Sequence, residues 1–137
     1  MCDMRFAVPC LFGLEGIAAD ELKRMDIPGV QAENGRVLFS GGVEEMAKAI
    51  REKSHLSFSV KMRLGWENAD EWRPVLDILN DTPLRQVTLH PRIGTQQYKG
   101  SVSMEAFEEF YALCKHPLVY NGDVTTLEQI QTLEKKY

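Results

Sequence analysis

The 137-residue sequence predicts a mixed α/β fold built in two parts. Short apolar runs of strand character alternate with segments whose apolar residues recur at helical spacing. The order of these segments changes grammar partway along the chain. The first part reads strand–helix–strand–strand–helix, and the second reads as strict strand–helix alternation, the pattern of parallel strands with crossover helices. The composition, 44% hydrophobic and 26% charged, is that of a soluble globular chain. Its length suffices for one ordinary domain or two very small ones.

Arg5 to Cys10 alternates loosely and reads as a strand, with Gly13 as a breaker. From Leu14 to Met25, Leu14, Ile17, Ala18, Leu22 and Met25 form a helical stripe that Pro28-Gly29 ends. Val30–Glu33 and Arg36–Ser40 flank Asn34-Gly35, a strong hairpin signal in which both turn residues must tolerate positive φ. Gly41-Gly42 leads into a helix over Val43–Arg51. After a seam between Ala47 and His55, "LSFSVKM" (Leu56 to Met62) reads as a strand. Asn68 with Glu71 predicts a capping-box start to a helix reaching about Leu79. Gln86–Leu89 reads as a strand, and Met104–Cys114 as a helix with Ser103 as N-cap. Leu118–Tyr120 is a short strand, and Thr125 with Glu128 predicts a second capping box for the last helix. The domain boundary expected from this pattern divides 1–52 from 53–137.

No apolar run reaches the roughly 18 residues that a membrane span needs. Arg5 followed by "FAVPCLFGL" faintly resembles a signal peptide, but Asp3 precedes it, Pro9 interrupts it and Glu15 closes it early. Cys2, Cys10 and Cys114 are odd in number and lack CxxC spacing, which argues against a disulfide framework or a zinc site and fits a reducing cytoplasm. The net charge of −4 is unlike that of a free-standing nucleic-acid binder, so any RNA contact must come from a local cluster.

Such a cluster exists at the strand ends of the second part. The first strand ends in Lys61 and Arg63, the second in His90 and Arg92, the third in Asn121, Gly122 and Asp123. Ligands of parallel α/β sheets bind at the C-terminal ends of strands, so the three sets are expected to converge. Lys61 offers a point charge, His90 a neutral donor, Gly122 close backbone approach, and the arginines forked donors for a polynucleotide backbone. Tyr98 offers a stacking face. Taken singly, each has a plain alternative. A strand-end Lys or Arg is ordinarily solvated, His90 before Pro91 is a turn residue as readily as a ligand, Asn-Gly-Asp is a common turn, and a lone Tyr more often packs than stacks.

"SVKMRLGW", "VTLHPRIGTQQYKG" and "LVYNGDVTTLEQI" together resemble the second half of bacterial tRNA-dihydrouridine synthases, from roughly Ser54 to Tyr137. The resemblance implies about three strands of a flavin-dependent (β/α)-barrel. It implies FMN-dependent reduction of uridine to 5,6-dihydrouridine in tRNA, with NADPH as reductant. By the same resemblance Lys61 lies against the flavin and His90 near its phosphate side. Asn121, Gly122 and Asp123 belong to the phosphate cradle, while Arg63, Arg92 and Tyr98 face the RNA. The family's Asn-x-Gly-Cys-Pro motif, whose cysteine protonates C5, has no counterpart in this sequence. The implied activity is therefore that of a partial enzyme, inactive alone. No catalytic residue and no metal ligand is assigned.

"FAVPCLFGLEGIAADELKRM" followed by "VQAENGRVLFSG" resembles the N-terminus of THUMP-containing rRNA guanine-N2 methyltransferases, over roughly Arg5 to Ile50. That implies a ferredoxin-like βαββα piece without catalytic residues, with Leu14, Ile17 and Leu22 as core and Glu15 and Glu21 as solvated helix charges. The rival to the flavoenzyme reading is accordingly a non-catalytic RNA-binding module. A third reading is a folded remnant without a ligand. Two resemblances in one short chain suggest a fused or rearranged reading frame, which an intact full-length gene on either side of the locus would refute. The missing last strand of a βαββαβ unit has one candidate, Leu56 to Met62, which would either complete that sheet or join the barrel-like part. The sequence leaves the oligomeric state open.

Overall fold

A computed structural model describes residues 4–137; Cys2 lies outside the described residues. Packing sorts the chain into two compact units. One runs to Phe58 and takes in Pro74–Arg85; the other comprises Ser59–Arg73 and Gln86–Tyr137.

In the first unit, β1 (Met4–Pro9), β2 (Gln31–Glu33) and β3 (Arg36–Gly41) form an antiparallel sheet in the order β1-β3-β2. Phe6 pairs with Phe39 in the register, and their rings stack at 5.1 Å. Helix α1 (Glu15–Arg24) lies against β2 and β3, and α2 (Val43–Lys53) follows β3. Val37, Phe39, Leu22, Met25, Ala47 and Ile50 are all buried. This is the ferredoxin-like βαββα order with its sheet sequence intact. The Asn34-Gly35 turn needs positive φ only at Gly35, at 74°. Glu15 is not a solvated charge. Its carboxylate accepts from the backbone N–H groups of Gly35 at 2.8 Å and Gly13 at 2.9 Å, tying the hairpin turn to the start of α1 and holding the acid below its ordinary pKa. Leu14 and Ile17, expected in the core, are exposed. The helical stripe places Ala19, Leu22 and Met25 inward instead.

β4 (Phe58–Gly65), β5 (Leu84–Ile93) and β6 (Leu118–Tyr120) form a parallel sheet in the order β4-β5-β6. The segment Leu56 to Met62 thus contributes to this sheet and does not complete the first one. The connections carry α3 (Trp72–Asn80) and α4 (Met104–Leu113), and α5 (Leu127–Lys136) closes the chain. The register pairs Leu89 with Tyr120, and Tyr120 meets Phe107 edge-on at 5.0 Å. Phe110 packs on Trp72 at 5.2 Å, and both are essentially inaccessible.

Three local expectations change. Asn68 and Glu71 do not cap a helix. The Glu71 carboxylate instead accepts from the backbone N–H groups of Trp66 at 2.8 Å and Asn68 at 2.7 Å, closing a turn, and α3 starts at Trp72. The last capping box is Thr126 with Gln129, one residue later than expected. Finally, β5 does not stop at Leu89 but continues through His90, Pro91 and Arg92 to Ile93. Pro91 lies past the last residue of β6, where no ladder bond from its nitrogen is required.

Truncating Phe110 to Ala should lower unfolding free energy by about 3–5 kcal/mol, since a fully buried ring leaves a cavity against Trp72. Urea denaturation followed by tryptophan emission measures this directly.

Candidate functional site

Side chains alternate across a strand, and in the second unit this alternation separates two chemistries. Val87 and Leu89 point to one face and are wholly buried. Thr88, His90 and Arg92 point to the other, with Val119 beside Thr88 in the register. On β4, Ser59, Lys61 and Arg63 share one face and Leu64 takes the other. The positive charges of Arg63, Arg92 and Lys61 all act on His90, so these three cations of β4 and β5 form one group.

Arg92 is its centre. Its side chain is buried, and it pairs with the Asp123 carboxylate in a two-pronged contact whose longer arm is 3.0 Å. It also donates to the Gly100 carbonyl at 2.6 Å. Its Nε is buried without a hydrogen-bond partner. The sequence reading turned this guanidinium toward RNA. The strand's extra length instead carries it inside, where the Gly100 carbonyl and Asp123 take up its terminal donors.

His90 is buried beside it, with its Nε2 at 3.4 Å from an Arg92 nitrogen. A guanidinium only donates, so Nε2 must accept, and the remaining N–H is at Nδ1. Burial first, then the Arg63, Arg92 and Lys61 charges, hold His90 below the ordinary 6.5 and keep it neutral. The Arg92 hydrogen bond correspondingly lowers the pKa of Asp123.

Arg63 also grips the loop after β5. It donates to the carbonyls of Ile93 at 3.1 Å and Gln97 at 2.8 Å, and lies 5.5 Å from the Tyr98 ring centre. Gln97 adopts a φ of 52°, and Arg63 holds this left-handed residue in place. Tyr98 is 80% exposed, with His90 behind it at 6.1 Å between ring centres. Lys61 is exposed and makes no ion pair among the described residues. Asn121 continues the ladder through its N–H to Leu89 O at 2.9 Å. Gly122 faces the Tyr120 hydroxyl so closely that a Cβ would collide with it. The donor set suits an anionic ligand with several acceptors, because Lys61, Arg63 and Arg92 outweigh Asp123 and Arg92 keeps an unused N–H.

Sequence reasoning missed Trp66 and Gly94. Trp66 is exposed and lies flat on Gly94, where a Cβ would enter its ring. The signal was a glycine ending β4 and another just past β5, but glycine alone does not say what crosses it.

Neutral His90 has a definite pH consequence. Its folded pKa lies below the unfolded value, so its contribution to stability is complete above about pH 6.5 and is lost as pH falls through the folded value. Melting temperature should therefore drop between pH 7 and 5, and His90→Gln should flatten that drop. Asp123 adds a second loss below its ordinary 3.8, by the same sign. Asp123→Asn should lower the melting temperature at pH 7, while Asp20→Asn, on an exposed pair, should leave it unchanged.

Comparison with known proteins finds two family models along the chain. The family model described as RlmL ferredoxin-like domain matches residues 5–51, and that of the dihydrouridine synthases matches residues 39–136. A probable tRNA-dihydrouridine synthase of Rickettsia bellii is 28% identical over 135 residues, 97% of this chain and 37% of that protein. A tRNA-dihydrouridine(16) synthase of Vibrio cholerae is 28% identical over 85 residues, covering 60% of this chain and 26% of that one. The corresponding Salmonella typhimurium protein is 28% identical over 88 residues, 62% of this chain and 28% of its own. The chain thus spans little more than a third, or less, of these relatives. With most of its length matched by one family model, and with its polar strand ends gathered as described, the chain belongs to the dihydrouridine synthase family.

Proposed function

We propose that this chain is the cofactor-side portion of a tRNA-dihydrouridine synthase, a segment of its (β/α) barrel preceded by a ferredoxin-like piece. The observation that carries the reading is one sheet face on which Lys61, Arg63, neutral His90 and Arg92 converge beside Asn121 and Gly122. Bound FMN would supply the hydride that reduces the C5–C6 bond of a tRNA uracil, with NADPH restoring it.

The residues of this chain have separable tasks. Lys61, exposed and without an ionic partner, holds negative charge on the flavin or its phosphate. His90 donates from Nδ1 while Arg92 fixes its orientation. Asn121, whose N–H is held by Leu89, offers its side-chain amide to the phosphate, and Gly122 offers its backbone N–H. Asp123 acts through Arg92, because its carboxylate would repel a phosphate if left unpaired. Tyr98, backed by Arg63, offers its ring face to an RNA base. The reading assigns no donor for the C5 proton: Cys114 ends α4 with its thiol directed at the His116 carbonyl, and Cys10 follows β1. Cys10 and Cys114, free among the described residues, and an RNA substrate both suit a cytoplasmic site of action.

An FMN titration, read by quenching of flavin fluorescence, tests the reading. Saturable micromolar binding, weakened about tenfold or more by Lys61→Ala, is the expected result; a tenfold loss corresponds to about 1.4 kcal/mol. Absence of quenching at high flavin concentration, with the fold intact by circular dichroism, would overturn it. Uridine reduction in tRNA should remain at background even where FMN binds.

A further inference from the structure

The end of α2, the loop after it and the start of β5 enclose a second feature within the first unit. Arg51, Ser54, His55, Ser57 and Arg85 line a cleft of about 460 Å³ floored by Leu84. That volume falls in the range of small-ligand sites. No carboxylate lines it, in a chain whose net charge is −4. Four other arginines have acidic partners, Arg24 with Glu21, Arg36 with Glu33, Arg73 with Asp70 and Arg92 with Asp123, and Arg63 is taken up by backbone carbonyls. Arg51 and Arg85 make no ion pair among the described residues.

Arg51 is nonetheless held in place. It donates to the Thr82 hydroxyl at 3.2 Å, and that hydroxyl donates to the Ile78 carbonyl at 2.8 Å. A neutral partner orients the guanidinium without neutralising it, leaving its other N–H groups for a ligand. The Leu56 N–H bonds the Ser54 hydroxyl at 3.1 Å and shapes the facing loop. The helix dipole favours a cation in the last turn of α2, which accounts for Arg51. It does not account for Arg85, two serines and a histidine converging from other segments.

We propose that this cleft binds a phosphate group through Arg51, Arg85 and the serine hydroxyls. The phosphate belongs either to a polynucleotide backbone or to a small free anion. The assignment does not depend on flavin binding, because none of its residues takes part in the group around Arg92.

Two arms of one experiment on the full chain test it, comparing the parent, the double variant Arg51→Gln/Arg85→Gln, and Lys48→Gln as a control cation outside the cleft. The first arm measures anisotropy of a labelled single-stranded RNA oligonucleotide across a salt series. The second measures the melting temperature with inorganic phosphate at constant ionic strength. A polynucleotide ligand predicts at least fivefold weaker RNA binding by the double variant, with the salt slope reduced by about 1.4 for two lost contacts. A small-anion ligand predicts stabilisation of the parent by phosphate that the double variant lacks, with RNA binding unchanged. In both cases Lys48→Gln behaves as the parent. If the double variant is misfolded by circular dichroism, Ser54→Ala/Ser57→Ala takes its place with the same readouts. Equal RNA affinity and phosphate response in parent and variant, or no response by the parent to either ligand, overturns the proposal.

Discussion

A guanidinium cannot discard its charge, so burying Arg92 in the central strand of a sheet dictates what must surround it. The segment after β6 has to bring Asp123 to it, and the loop after β5 has to turn the Gly100 carbonyl inward. The adjacent imidazole must stay neutral, because a second positive charge there would be opposed at short range. One buried cation therefore positions two loops and adds to the burial and the Arg63 charge that keep His90 neutral. Arg63 repeats the device one strand away, with the carbonyls of Ile93 and Gln97 as its partners. The arginines hold the loops at the mouth of the sheet, where Lys61 and the ring of Tyr98 stay exposed.

The two faces of that sheet share the work. Val87, Leu89, Phe107, Phe110 and Trp72 bury apolar surface and fix the strands. The opposite face is thereby free to carry polar groups whose burial would otherwise be costly. Its cost is met locally, since Arg92 and His90 find partners within the same cluster. The Arg92 Nε is the exception, buried without a hydrogen-bond partner.

Residues 39–51 fall within both family matches, and the structure accounts for the overlap. They contain the end of β3 and most of α2. A helix that follows one strand and precedes another satisfies the grammar of a βαββα unit, where it comes last. It also satisfies strand–helix alternation, where it precedes β4. The same amphipathic segment thus serves as the final helix of one pattern and the first of the next. The two patterns do not share a sheet, because β4 pairs with β5 and leaves β1 bonded to β3 alone.

Most of the element order was legible in local pattern. Hydrophobic periodicity located the helices, Asn34-Gly35 the hairpin, and Ser103 an N-cap whose side chain accepts from Ala106. These features depend on a few neighbouring residues, so the sequence by itself determined them, together with the residue types at the strand ends. Tertiary structure decided what those residues do. The apolar character of β5 ends at His90, and Asp123, thirty-one residues beyond Arg92, together with the Gly100 carbonyl takes up the guanidinium that turns inward there. Glu71 had the spacing of a cap but closes a turn, since three backbone N–H groups of one loop converge on it. Glu15 had the look of a surface charge until a turn distant in the chain presented Gly35 to it. Glu71 found its partners within one loop, whereas Arg92 and Glu15 took partners remote in sequence, and electrostatics in a folded interior acts through space, which no local pattern encodes.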